Sequence, residues 1–532
     1  MGFPFSSRWT LFVVAAVYSS RVLAYTWPNP KLDELESQRY DRLGFNARAL
    51  ASGLIPCDRF EFTNEEPDAV GRLNAADWVR TAYHDMATHD VSDGSGGMDA
   101  SIRLELDRPE NTGRGFQDTV DLLSGESNRY ASLADVFALA MVVAVEHCGG
   151  PKINYRGGRV DATVANTGRV PLPDEGIVKH ISSFQRQGFT QQEMIGLVAC
   201  GHTFGGVQSK SFPDIVKSGG VVHFDKTFSN FDNSIAHEYL NGTTSNPLVV
   251  GPDLTNSDKR IFSSDNNQTM SSFTNPDVFS QTCASLLARM IDTVPKGVQL
   301  TEVIEPLITK PQSVALTYMG DGTLLLTGEV RFWDMQEDPT RKVSLKWANR
   351  KNQTCSNCSS SLSHTTNQAS QFITDNGKTQ IQSLWYSFDS PSTQGFTISD
   401  SASIGKFWFE IQEGNNKIVE DQNGIGYGLQ DMVMISVTSC ESSSGLKLDV
   451  AVRTGSTPSR VYIEADEISN GLPIVRTVDV TGKPSPLSSL GKNYAIWTVK
   501  TTRPARNWNI AADIGGKKYT TSNLAIRGFP AC

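Results

Sequence analysis

The stretch RTAYHDMATHD, Arg80–Asp90, gathers an arginine, a tyrosine, two histidines and two aspartates directly behind an apolar run, AADWV. Three readings compete for so many polar groups in one place: a solvated helix end, a metal site, or one wall of an active site. Residues four apart on a helix share a face, so Arg80 and His84 stand side by side while Asp85 points elsewhere. An active-site wall needs an opposite wall, which the rest of the chain must supply.

At 532 residues the chain exceeds one ordinary core, and two or three domains are expected. Its 39% hydrophobic and 20% charged content is that of a globular protein, and no run of eighteen apolar residues offers a membrane span. Residues 1–24 read as a secretory signal peptide: Arg8 in the n-region, TLFVVAAVY as the apolar core, and VLA ending at Ala24 as the cleavage site. Without its two arginines the net charge moves from −9 to about −11. An acidic chain is a poor partner for nucleic acid or anionic lipid, which demand concentrated Lys and Arg. An exported protein with eight cysteines is expected to form disulfides. Sequons at Asn241, Asn267, Asn352 and Asn357 fit a secreted, extracellular glycoprotein.

Two grammars divide the chain. Up to Ile308, segments such as LADVFALAMVVAVEHC and PDVFSQTCASLLARMID repeat apolar residues at three and four, predicting a mainly α-helical domain over 25–308. From 309 to 532, short β-branched and aromatic runs such as TLLLTGEVRFW and KFWFEIQ predict an all-β, sandwich-like domain, with MGDGT as a hairpin turn. The serine-rich SNCSSSLSHTTNQASQ reads as a long loop, and two cores of this kind are expected to keep their own stability. Cys355 and Cys358 resemble half a zinc site, but with no second CxxC a disulfide is favoured.

The opposite wall comes from LVACGHTFGG, where His202 ends an apolar helix. HFDKTFSNFD then supplies oxygen donors, and SDKRIFSSD sets Asp258 in a polar island. In this order these segments resemble the plant and fungal secreted haem peroxidase superfamily, over roughly Lys31 to Ile304, and are closest to the fungal secreted class. Arg80, Tyr83, His84 and Asp85 match its Arg-x-x-aromatic-His-Asp pattern, and Gly201, His202 and Thr203 match its proximal Gly-His-Thr.

The resemblance implies haem b, with His202 as axial ligand, Asp258 as its hydrogen-bond partner, and Phe224 and Tyr83 beside the cofactor. It makes His84 the acid–base residue toward hydrogen peroxide, Asn111 its orienting partner, six residues after Glu105, and Arg80 the stabiliser of developing negative charge. It implies two calcium ions: one on Asp85, Gly97 (by its carbonyl), Asp99 and Ser101, the other on Thr203, Asp225, Thr227, Asn230 (by its carbonyl) and Asp232. It pairs Cys57 with Cys148 and matches Asp135 and Arg159 to a buried ion pair. Cys200 and Cys283 have no clear counterpart and are either paired or buried thiols.

Departures matter as much. Where manganese-oxidising relatives carry three acids, this chain has Leu73, Asp77 and Gln208, so no complete manganese site is expected. Leu197 stands where lignin-oxidising relatives have a surface tryptophan. The other histidines (His89, His147, His180, His223, His237 and His364) have no ligand constellation and are read as structural or solvated. Six tryptophans lie in the β-rich half; aligned and exposed they would stack on sugars, but at strand spacing core positions are favoured. The expectation is a secreted peroxidase that uses hydrogen peroxide to oxidise a small aromatic reductant, a phenol or dye. The rival is a non-catalytic protein that keeps the haem fold as scaffold and attaches to cell-wall glycan through the β-rich half.

Overall fold

In the computed structural model, the described residues are 25–41, 50–62, 70–217, 219–365, 372–374, 379–388, 395–443, 445–455, 457–480, 493–502, 507–524 and 529–532. The expected signal peptide lies outside them.

Helices dominate as far as Asp292. The chain forms α1 (Pro30–Tyr40), α2 (Asn74–Met86), α3 (Gly115–Leu123), α4 (Leu133–His147), α5 (Ile177–Arg186) and α6 (Gln191–Gly201). The short ribbon of β1 (Gly206–Gln208) and β2 (Val221–His223) follows, then α7 (Ser234–Asn241), α8 (Pro247–Val250), α9 (Ser257–Phe262), α10 (Gln268–Ser272) and α11 (Pro276–Asp292). LADVFALAMVVAVEH is apolar on every side, so α4 is buried along its whole length, starting where Ser132 accepts the Asp135 N–H. Thr190 and Glu193 form a reciprocal capping box that starts α6. Glu193 also reaches Arg289 on α11 at 2.6 Å, and the Cys200–Cys283 disulfide joins the same two helices near the other end of α6. Thus α6 is held at both ends, and the residue that follows it is His202.

From Thr309 onward the regular elements among the described residues are strands. A β-hairpin of β3 (Thr309–Tyr318) and β4 (Thr323–Trp333) turns through Gly320 and Gly322, both in the left-handed region that the turn requires. It belongs to a nine-stranded sheet. A five-stranded sheet containing β5 (Lys342–Ala348) and β6 (Thr354–Ser361) shares one apolar core with that sheet, built on Leu324, Phe332, Leu345, Phe407 and Phe409. A four-stranded sheet forms a second core with it through Leu448, Val450, Ile463, Trp508 and Ile510. The half expected to be one sandwich therefore has two cores around a shared sheet. The serine-rich stretch is not simply a loop: Thr354–Ser361 pairs with β5, because Cys358 turns inward while its small polar neighbours tolerate the outer face. All eight cysteines are paired, as Cys57–Cys148, Cys200–Cys283, Cys355–Cys358 and Cys440–Cys532.

The two halves meet through charge. Helix α1 buries Asp33 through Tyr40 without a break, although the segment is rich in acids. Arg39 faces the helical core, 2.7 Å from Glu146. Glu36 and Asp41 face β3 and β4, where Arg331 holds each at 2.6 Å, Lys310 pairs with Glu36, and Gln312 donates to Asp41 at 2.6 Å. A second contact sets Arg129 against Asp466 and Glu464 at 2.6 and 3.0 Å.

Candidate active site

Helix α2 presents its buried face as Trp78, Val79, Ala82 and Met86, which fixes the neighbouring stripe of Arg80 and His84 toward a cavity lined by both. The His84 ring is buried, with Nδ1 2.8 Å from Asn111 Oδ1. Asn111 Nδ2 donates to the Glu105 carbonyl at 2.8 Å, so its amide orientation is fixed and its oxygen must face the histidine. His84 therefore carries its proton on Nδ1 and keeps an unprotonated Nε2. Burial, reinforced by the nearby Arg80 charge and opposed by Asn111, lowers its pKa to about 3. Arg80 donates to the Thr112 carbonyl at 3.2 Å and lies 4.2 Å over the Phe116 ring, which also packs 4.7 Å from His84. Burial lowers the Arg80 pKa to about 10, leaving it cationic at neutral pH. Tyr83 turns to stack on Phe184 at 5.8 Å.

The opposite wall is His202, which caps the C-terminus of α6. Its Nδ1 is 2.8 Å from Asp258 Oδ2, and the same oxygen accepts Asn246 Nδ2 at 2.8 Å. Phe224 stacks on the imidazole at 4.1 Å with 12° between planes. With Nδ1 tied to a buried carboxylate, the ring's remaining 30% exposure is toward the cavity that His84 also lines. Val170, Phe184, Leu197, Val207 and Leu248 supply apolar walls. An imidazole on each side of an apolar cavity, each with one nitrogen tied, is a donor set that fits a haem: His202 would hold its iron, and the apolar walls would receive the macrocycle.

The two expected cation sites differ. On the His202 side, Thr203, Asp225, Thr227, Asn230 and Asp232 converge: Thr227 Oγ1 is 3.0 Å from Asp232 Oδ1 and 3.3 Å from Asp225 Oδ1, and Thr203 Oγ1 is 3.5 Å from the Asn230 carbonyl. Asp225 Oδ2 is buried with no hydrogen-bond partner, and burial together with Asp232 raises the Asp225 pKa to about 7. This oxygen cluster lacks a positive charge, and calcium fits it. On the His84 side the residues do not fit an ion. The Asp85 carboxylate, expected as a ligand, accepts the backbone N–H groups of Asp99, Ala100 and Ile102. The Asn166 amide nitrogen stands among the oxygens of Thr88, Asp99 and Ser101. Gly97 gives its N–H to Thr88 and has a backbone that no side chain could share, since a Cβ there would meet the Thr293 carbonyl at 2.7 Å.

Asp135 and Arg159 form a buried ion pair at 3.0 Å. Asp77 is taken up by Arg72 at 2.6 Å, and Arg72 also holds Asp118 at 3.0 Å. His180, expected to be structural or solvated, is buried with Nε2 3.0 Å from the Leu172 carbonyl, and it also lines the cavity with a buried Nδ1 that lacks a partner. The readable signal was its position four before Phe184 on the amphipathic α5. Asn166, in a half-buried loop, gave no signal. In the β-rich half, Trp333, Trp347, Trp385 and Trp508 are buried, whereas Trp408 and Trp497 are half-buried.

Comparison with known proteins addresses the same region. Residues 63–275 match the peroxidase family model. A WSC domain-containing protein of Arthroderma benhamiae is 36% identical over 366 residues, covering 66% of this chain and 49% of that protein. L-ascorbate peroxidase 5 of Arabidopsis thaliana is 34% identical over 179 residues, 33% of this chain and 61% of the enzyme. A protein of Aspergillus fumigatus named as a heme-binding peroxidase is 35% identical over 135 residues, 24% of this chain and 42% of its own length. The chain thus spans about half of the first relative and three fifths of the plant enzyme. Together with two histidines facing one apolar cavity, these matches support placing the helical half in the haem peroxidase superfamily.

Proposed function

We propose that the chain is a secreted haem b peroxidase of the fungal secreted type, oxidising small phenols or aromatic dyes in one-electron steps at the expense of hydrogen peroxide. The observation that carries this reading is the fixed tautomer of His84, opposite a histidine anchored by Asp258. When bound, haem supplies the redox centre that accepts two electrons' worth of oxidation from peroxide and passes it on singly. His84 Nε2 receives a proton from one peroxide oxygen and delivers it to the other as the O–O bond breaks. Arg80, cationic beside it, stabilises the negative charge that builds on the departing oxygen. Asp258 accepts the His202 Nδ1–H, orienting the ring and making it a stronger donor. Asp225, Thr227 and Asp232 with Thr203 would hold calcium, and would so tie the loop after β2 to the residue that follows His202.

Manganese is not the proposed donor, because Asp77, the one acid at the three expected positions, is neutralised by Arg72, which also holds Asp118. Four disulfides support an oxidising, extracellular compartment. A glycan-attachment role for the β-rich half has less behind it, since four of its six tryptophans are buried. The test is a spectrum of the purified full chain: a Soret band that shifts on one equivalent of peroxide and returns with a phenol supports the reading. A chain that binds no haem, or binds it without reacting with peroxide, refutes it.

A further inference from the structure

We propose that the side-chain amide of Asn166 takes the place of a calcium ion on the His84 side, so that this chain holds calcium only on the His202 side. Asn166 Nδ2 lies 2.8 Å from Ser101 Oγ, 3.0 and 3.1 Å from the two Asp99 carboxylate oxygens, and 3.1 Å from Thr88 Oγ1. These are hydrogen-bond lengths, longer than the 2.3–2.6 Å typical of calcium–oxygen contacts. A carboxylate can only accept, so the group facing Asp99 must be the NH2 end of the amide. One nitrogen at the centre of four oxygens leaves no room for a cation in the same place.

Two further observations point the same way. Both oxygens of Asp85 are occupied by backbone N–H groups at 2.8–3.0 Å, which satisfies the carboxylate without a metal. Asn166 is also anchored through its own backbone: its N–H reaches Glu105 Oε1 at 2.8 Å, and its carbonyl accepts Arg108. The amide is clamped where it stands. On the His202 side, by contrast, the Asn230 amide touches only Asp232 Oδ2, at 3.0 Å, and Asp225 Oδ2 keeps a buried, unpartnered oxygen beside Asp232. One cluster is completed by a neutral donor, and the other still lacks its cation.

The proposal rests on the peroxidase reading only for where ions are expected, and the Soret band of each sample checks that reading separately. Full-length, haem-loaded protein would be equilibrated with calcium, dialysed into metal-free buffer, and its calcium counted by atomic absorption. One ion per chain is expected in the wild type, lost in Asp225→Asn and retained in Asp99→Asn. Two ions, with one lost in Asp99→Asn, would overturn the proposal; so would none. Asn166→Asp, which replaces the amide nitrogen by a carboxylate oxygen, is expected to take up a second calcium and to melt at a calcium-dependent temperature. An Asn166→Asp chain that gains no ion and melts as the wild type does would overturn the role given to the amide.

Discussion

Replacing Arg331 by Met keeps most of the side-chain volume and removes one charge from the seam between the halves. Arg331 is fully buried and donates to Asp41 and Glu36 at 2.6 Å each and to the Leu307 carbonyl at 2.8 Å. Removing one partner of a buried pair typically costs about 3–5 kcal/mol, because the remaining charge cannot reach water. Lys310 stays on Glu36 and offsets part of that loss, so we expect about 3 kcal/mol. If the β-rich half melts as a unit of about 200 residues, its midpoint falls by roughly 6–12 °C. Scanning calorimetry measures this, with Arg460→Met as the control. Arg460 pairs with Asp479 at the surface, where the side chains are 43% and 56% exposed, and its loss should leave the midpoint unchanged. An Arg331→Met midpoint equal to the control's would refute the reasoning. The same seam bears on whether the two halves are independent modules. A chain stopped near Ile308 loses Lys310, Gln312 and Arg331 together, and should melt below the helical half of the intact protein.

Three further outcomes follow from the site. Cys283→Ser opens a loop of 83 residues whose closure contributes about 4–5 kcal/mol, and because Cys200 lies two before His202, haem should pass to apomyoglobin faster than from the wild type; an unchanged transfer rate counts against the disulfide's role. Because His84 titrates near 3, its Nε2 stays available above that value, so the rate of reaction with peroxide should be flat from about pH 5 to 8 and fall only toward pH 3. An unfolded imidazole near 6.5 binds protons first, so His84 should also make stability rise with pH between about 3 and 6.5. A rate midpoint near 6.5 in rapid-mixing experiments would mean the ring is not buried as described.

How far the sequence carried depended on distance along the chain. Arg80 and His84 share a helix, so their adjacency follows from spacing alone. His202 and Asp258 are 56 residues apart, and only resemblance to a family could join them. The burial of α1 was hidden for the same reason: Glu36 and Asp41 look solvated until Lys310 and Arg331, some 270–290 residues later, are placed against them. Asn166 was unreadable because an asparagine in a half-buried Thr- and Gly-flanked loop is ordinary, and its role depends on where Asp99 and Ser101 happen to lie. The Asp85 pattern suggested a ligand, whereas the folded loop spends both of its oxygens on backbone N–H groups. Strand spacing identified the β-rich half but could not tell one core from two, since alternation marks an inward face without naming its partner sheet.

The most direct test of the central claim is the second-order rate constant for hydrogen peroxide, measured by rapid mixing on haem-loaded wild type and His84→Ala. The account predicts an unaltered haem content and a rate lowered by at least about 100-fold, the loss expected when a positioned general acid–base is removed. A His84→Ala protein that reacts with peroxide at the wild-type rate would contradict it.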